Sequence, residues 1–467
     1  MLKSLFIAIM VSATAILNAQ NPKRQTTQKN DTVRGPRILK EWTLSSDFSE
    51  EVSLPIDTVF SLSHRNRLTD KYSPFNAYLG NYGLPLYQLN FFDRVTDPDK
   101  FLYSNYYPFM YVPEKAVFMN TQVPYTELDW SFAGVRENSE QTFRVRHSQN
   151  VNRFLNFGII YDIVFSLGQY NFQRAENKDF TFYTSYTGER YKLYFSSGIN
   201  NITSHENGGV KDFSQIGEKP NMRDVEVNLG GTNNAVSILK NRSILLVQRY
   251  TIGGRPVKPK DPASNSRQGF FGLSGTFSHI LTLETNKRTY SDQNPESTFY
   301  DTLFVRIPRQ PLFDSLSSRY LKNTIRFDFT TDETRKFRFG GGAGIRNELY
   351  RYSQLMPVND TTLDYDTLMA SGRWTRSSNA LIAKLYNNIG EKFRWVANGE
   401  LWLTGYRAGD FSLTGEITKS FDFKKGRASW IIDGGMSNRQ PSFWYQQWNS
   451  SHFIWSSNFK KEFRINA

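Results

Sequence analysis

The stretch Phe154-Leu-Asn-Phe-Gly-Ile-Ile-Tyr-Asp-Ile-Val-Phe-Ser-Leu-Gly-Gln169 decides the fold. Leu155, Phe157, Ile159, Tyr161, Ile163, Phe165 and Leu167 share one parity. Asn156, Gly158, Asp162, Ser166 and Gly168 share the other, with Ile160 and Val164 as exceptions. A helix would scatter these apolar residues around its circumference; a strand, whose side chains alternate, sorts them onto one face. Further along, Phe180-Thr-Phe-Tyr-Thr-Ser-Tyr186 runs to Gly188-Glu189 and Tyr191-Lys-Leu-Tyr-Phe195 returns. Glycine at such a turn makes this a hairpin of consecutive antiparallel strands.

The alternation recurs over 268–284, 320–330, 335–347, 380–387, 392–404, 410–420 and 427–433. Short turns (Asp332-Glu333, Gly390-Glu391, Lys424-Lys425-Gly426) and long polar segments (200–235, 250–267, 286–318, 351–377) separate these runs. A β-sandwich typically uses strands of about five or six residues around one buried core. Here several strands pass that length, and Tyr161, Phe165, Trp395, Leu403 and Trp430 stand near strand ends as an aromatic girdle would. The expected fold is all-β: a transmembrane antiparallel up-and-down β-barrel of roughly 12–16 strands when complete, with an irregular N-terminal plug or periplasmic segment.

Composition narrows the function classes. The 467 residues carry a net charge of +13, 15% aromatics and no cysteine. Zero cysteine excludes a disulfide scaffold, thiolate metal sites, a cysteine nucleophile and a lipid-anchored N-terminal cysteine. So many aromatics exclude a disordered chain. Beyond the first twenty residues no run is long and apolar enough for a membrane-spanning helix.

Four regions follow. Residues 1–19 read as a signal peptide, with Lys3 ahead of a short apolar core and cleavage between Ala19 and Gln20. Its removal leaves a charge of 13 − 1 = +12. Residues 20–41 are a basic flexible tether; an exported chain has no nucleic-acid partner, so these charges are a solvated arm. Residues 42–124 are rich in Tyr, Asn and Pro, a plug or periplasmic segment. Residues 125–467 form the barrel.

Asp70-Lys-Tyr-Ser-Pro-Phe-Asn-Ala-Tyr-Leu-Gly-Asn-Tyr-Gly-Leu-Pro-Leu-Tyr-Gln88 resembles the family of putative porins of Gram-negative, Bacteroidota-type outer membranes. So do Phe118-Met-Asn-Thr-Gln-Val-Pro-Tyr-Thr-Glu-Leu128 and Glu140-Gln-Thr-Phe-Arg-Val-Arg-His-Ser-Gln-Asn-Val-Asn-Arg153. The resemblance implies an outer-membrane barrel with a channel role and supplies no catalytic residue. It also implies a final strand ending on an aromatic, whereas this chain stops at Arg464-Ile465-Asn466-Ala467. The expectation is therefore a C-terminal truncation and a barrel that does not close.

Chemical motifs are sparse. His64, His147, His205, His279 and His452 show no metal-ligand spacing, and Gly340-Gly-Gly-Ala-Gly344 interrupts a strand instead of leading into a helix. Neither a catalytic residue, a metal nor a cofactor is expected. What remains is charge on the lumen parity. The bases are Arg144, Arg146, Lys192, Lys322, Arg326, Lys336, Arg338, Lys384 and Arg394; the acids are Asp162, Glu284, Asp328, Glu400 and Glu416. Nine bases against five acids imply an anion preference, unless the charges pair across neighbouring strands.

The functional expectation is a channel for small hydrophilic solutes, surrounded by outer-membrane lipid and compatible with homo-oligomerisation. The alternative is a non-conducting barrel acting as a structural or interaction protein through its long loops. A barrel hydrolase would need a nucleophile–His–acid set for which no spacing exists. On this reading Ile159→Arg faces lipid and is costly, whereas Ser166→Arg faces the lumen and is tolerated.

Overall fold

A computed structural model describes residues 39–55, 67–95, 97–230, 235–253, 273–293, 295, 299–300, 312–331, 339–357, 369–387, 393–423, 426–451 and 453–466. The signal peptide and most of the tether lie outside them, as do Lys336 and Arg338. Alternation is realised as strands: β6 (Tyr125–Ala133), β7 (Glu140–Asn150), β8 (Leu155–Ser166), β9 (Ala175–Thr187), β10 (Tyr191–Glu206), β11 (Ala235–Ile252), β12 (Leu273–Asp292), β13 (Leu312–Thr331), β14 (Gly340–Pro357), β15 (Met369–Asn387), β16 (Phe393–Gly405), β17 (Phe411–Phe423), β18 (Gly426–Arg439) and β21 (Glu462–Asn466). They form one 14-stranded antiparallel sheet in which almost every strand pairs with its sequence neighbour, β21 adding to β18. This is the up-and-down order expected. Among the described residues β6 and β21 pair on one side only.

Several strands outrun the expected spans. β12 and β13 have 20 residues each, about twice the 9–11 that cross a bilayer. Segments read as loops, such as 286–318 and 351–377, are therefore partly strand. Loop asymmetry is also less clean than expected. Residues 253–272 join β11 to β12 at the same end as the short turn 188–190, because antiparallel connections alternate between the two ends.

The N-terminal region is built differently, from short pieces interrupted by proline. β1 (Leu39–Leu44) pairs with β2 (Glu51–Leu54) and β5 (Val117–Thr121) in a small sheet. β1 thus begins inside the range read as tether, because Trp42 and Leu44 bury their side chains. β3 (Asn76–Tyr78) and β4 (Leu86–Gln88) form a second hairpin, and near the C-terminus β19 (Gln447–Asn449) and β20 (Ile454–Ser456) form a third. A set of 3₁₀ turns, including Ser104–Phe109, carries the buried Tyr106, Tyr107 and Phe109.

This region packs against the polar face of the large sheet. Along β8 the polar parity is buried and the apolar parity is partly exposed, the inverse of a soluble core and the pattern of a lipid-facing wall. Trp42, Phe118 and Met119 pack with Ile160, Tyr183, Tyr194, Leu245, Val247 and Ile280. Tyr82, Tyr106, Tyr107 and Phe109 pack with Val164, Ile202 and Leu239. Ile160 and Val164, the two exceptions to the alternation, are thus the sockets for the N-terminal segment.

Candidate functional site

The tip of the β1–β2 hairpin shows how the sheet wraps. Asp47 accepts from Arg326 Nη1 on β13 at 3.0 Å and from Lys384 Nζ on β15 at 3.1 Å. The Phe48 carbonyl accepts from Arg249 on β11. Glu51 accepts from Lys192 Nζ on β10 at 2.6 Å and from the Tyr194 hydroxyl. Five consecutive residues meet side chains from strands spread over β10 to β15, so the wall curls around the segment. The lumen is occupied from β7 to β15.

Other acids of the segment repeat the pattern. Glu41 takes a bidentate pair from Arg146, both contacts 2.9 Å. Asp99 accepts from Lys322 at 2.8 Å and from the Tyr350 hydroxyl at 2.9 Å. Contacts to charged groups are shorter and stronger than neutral ones, and the bidentate Arg–carboxylate fork adds orientation. Burial raises the Asp99 carboxyl, but the Lys322 and Arg407 charges outweigh it and bring it down to about 2. Burial likewise raises Asp47, while Arg326, Lys384 and the Ser45 and Ser49 hydroxyls hold it well below the carboxylate range. Glu51 is lowered by its Lys192 and Tyr194 hydrogen bonds against burial.

Among the described residues, the other charges expected in the lumen are placed as follows. Arg144 Nε pairs with Asp162 at 2.7 Å, cross-strand partners that the Tyr111 hydroxyl also joins at 3.2 Å. Arg326 Nε pairs with Asp328 at 2.8 Å, and Glu400 pairs with Arg346 at 2.9 Å. Glu284, fully buried, accepts from Tyr320, Asn241 and Asn286. Arg394 and Glu416 are exposed on β16 and β17, with Thr418 donating to Glu416 at 3.2 Å. The glycines of β14 make room for the row beside them: a Cβ on Gly342 would lie 2.0 Å from the Asp328 carboxylate.

One expectation is corrected here. Ser166 does not face open lumen; it is buried and accepts from Asn81 Nδ2 at 2.7 Å, so arginine there collides with the N-terminal segment. Sequence reading also missed the acids Glu41, Asp47, Glu50, Glu51 and Asp99, because they lie in a region without periodicity. Arg249, Arg346, Glu348 and Arg407 were missed too. Arg346 shares the parity of Lys336 and Arg338 within the run 335–347 and was overlooked there, whereas Arg249 keeps the lumen parity of β11, a strand the alternation runs left out.

The occupied part of the lumen ends near β16, where Trp402 is buried. From Leu413 to Ile417 on β17 and from 428 to 433 on β18, successive side chains are exposed on both faces.

Comparisons with known proteins follow this geometry. No curated protein matches the sequence. Among solved structures, the siderophore receptor PirA from Acinetobacter baumannii aligns over 69% of this chain and 75% of its own, at 7% identity and a TM-score of 0.18. The family description "Putative porin" matches residues 38–467, the whole of the sheet and of the segment packed within it. The chain belongs to the Putative porin family, outer-membrane β-barrels.

Proposed function

We propose that the chain is an outer-membrane channel for small hydrophilic solutes whose N-terminal segment, in its described residues 39–55, 67–95 and 97–121, occupies most of the lumen. The observation that carries this reading is the contrast along the wall. β7 to β15 are covered by the segment, while β17 and β18 present Thr414, Glu416, Thr418 and Asp433 without a covering layer. A polar wall is sufficient for diffusion and needs no catalytic residue. Export proceeds through cleavage between Ala19 and Gln20, and N-terminal sequencing of the mature protein tests that step.

Charge selectivity depends on the segment. With it docked, Arg146, Lys192, Lys322, Arg326 and Lys384 each face an acid of the segment. With it displaced, those five bases lose their partners in the segment, only Arg326 keeping Asp328 and Arg146 keeping Glu127 on the wall, and local potential favours anions. Single-channel recording of the full chain in a planar bilayer tests both parts. Discrete conductance is expected, and Asp47→Asn with Glu51→Gln should move the reversal potential towards chloride. A conductance that keeps its selectivity refutes the charge argument.

The density of ion pairs along the lumen favours one other reading, a barrel closed to solutes that serves as a structural or interaction protein through its loops. Absence of conductance in both the unmodified chain and the double variant would establish it.

A further inference from the structure

One row on the lumen wall is not balanced by the contacts of the hairpin tip. Arg249 on β11, Ser278 on β12 and Arg326 on β13 are register partners, side by side across three strands. They are 7%, 3% and 3% exposed. The next partner along the row is Gly344 on β14, which adds no side chain to it.

Both guanidinium groups reach the tip, and each keeps a buried N–H without a partner: Nε of Arg249 and Nη2 of Arg326. Their charge environments differ. Arg326 meets two carboxylates, Asp47 and Asp328. Among the described residues, Arg249 has no carboxylate within 4.0 Å; its contacts are the Phe48 carbonyl and the face of the Tyr194 ring at 5.2 Å. The nearest acids are engaged elsewhere, Glu51 by Lys192 and Tyr194, Asp47 by Arg326 and Lys384. Glu51 and Asp47 therefore act on Arg249 only across a distance; a guanidinium removed from water with no carboxylate in contact is unfavourable, and buried donors left unsatisfied in native structures point to a bound ion or water. Guanidinium donors on strands two apart, with a hydroxyl between them, suit a small sphere of negative charge better than an extended anion.

We propose that Arg249, Ser278 and Arg326 bind one halide ion of the chloride class, which neutralises Arg249 and holds the β1–β2 hairpin against the wall. The site is distinct from the solute path and rests only on the docked N-terminal segment.

The test uses the full chain in detergent, with sodium bromide replacing sodium gluconate at constant ionic strength. The unfolding midpoint should rise and saturate with bromide, a response absent in Arg249→Gln. Ser278→Ala removes one donor and should weaken the apparent affinity by up to about tenfold. Crystals grown with bromide should show an anomalous peak against Arg249 Nε and Arg326 Nη2, a measurement that needs no variant. An unsaturable response shared by Arg249→Gln, or anomalous peaks confined to the outer surface, overturns the site.

Discussion

Asp47 is the most informative residue to perturb, because one carboxylate joins two strand-borne cations at the hairpin tip. Asp47→Asn keeps the shape of the side chain and removes its charge. Hydrogen bonds to charged groups contribute about 1.5–3 kcal/mol each, so losing the contacts to Arg326 and Lys384 sets a range of about 3–6 kcal/mol. Arg326 keeps Asp328 at 2.8 Å, and Lys384 keeps Ser49 at 2.9 Å and Glu50 at 3.4 Å. Asp47 is also one-quarter exposed. These retained partners place the loss near the lower end, about 3 kcal/mol, or roughly 150-fold in the ratio of docked to undocked segment. Hydrogen exchange of the backbone amides of β1, β2 and β5 reads that ratio directly, since protection in a locally opening unit follows its opening free energy. Glu176→Gln supplies the comparison: it pairs with exposed Arg174 and Lys178 and should change protection by less than about 0.5 kcal/mol. If Asp47→Asn leaves protection in β1 and β2 at the level of Glu176→Gln, the hairpin is held by packing alone and the electrostatic account is wrong.

Acid should release the segment. The carboxyls of Asp47, Glu51 and Asp99 are depressed in the docked state, so it binds fewer protons than the free state; the stabilisation is full above about pH 5 and drains as pH falls through the Asp99 value of about 2. Protease accessibility of residues 39–54 against pH reads this, and an acid-insensitive profile counts against it. At the other end, burial and the Lys100 charge pull Lys115 down to about 7 from 10.5, so docking should strengthen as pH rises from 7 to 10, and Lys115→Met should flatten that rise in the same assay. Ile159→Arg should cost about 2–4 kcal/mol of refolding free energy in lipid if it sits near the bilayer midplane. Ser166→Arg should leave lipid insertion intact and expose residues around Asn81 to exchange; equal folding defects in the two refute the lumen–lipid assignment. Gly342→Ala should destabilise by about 1–3 kcal/mol, measured by urea unfolding, whereas Gly399→Ala, whose nearest neighbour to a Cβ lies 3.9 Å away, should be neutral.

Strand identity in the wall, its lipid and lumen parities and the chain order of the sheet were all legible in the order of residues alone. Alternation is a local property with a period of two, and a strand converts it into faces without help from distant residues. The order of residues also located the irregular region before Tyr125, whose prolines interrupt regular structure within a few residues. What the lumen charges do emerges from the folded arrangement. Counted along the strands they read as an excess of bases; in space Glu41, Asp47, Glu51 and Asp99 meet Arg146, Lys192, Lys322, Arg326 and Lys384 across separations of 105 to 337 residues. No periodicity links residues so far apart, because their proximity follows from the curl of the sheet around the segment. The same holds for Ile160, Val164 and Ser166. Parity placed them on the lumen face, but whether that face meets water or protein depends on a segment that packs there through aromatic burial and ion pairs.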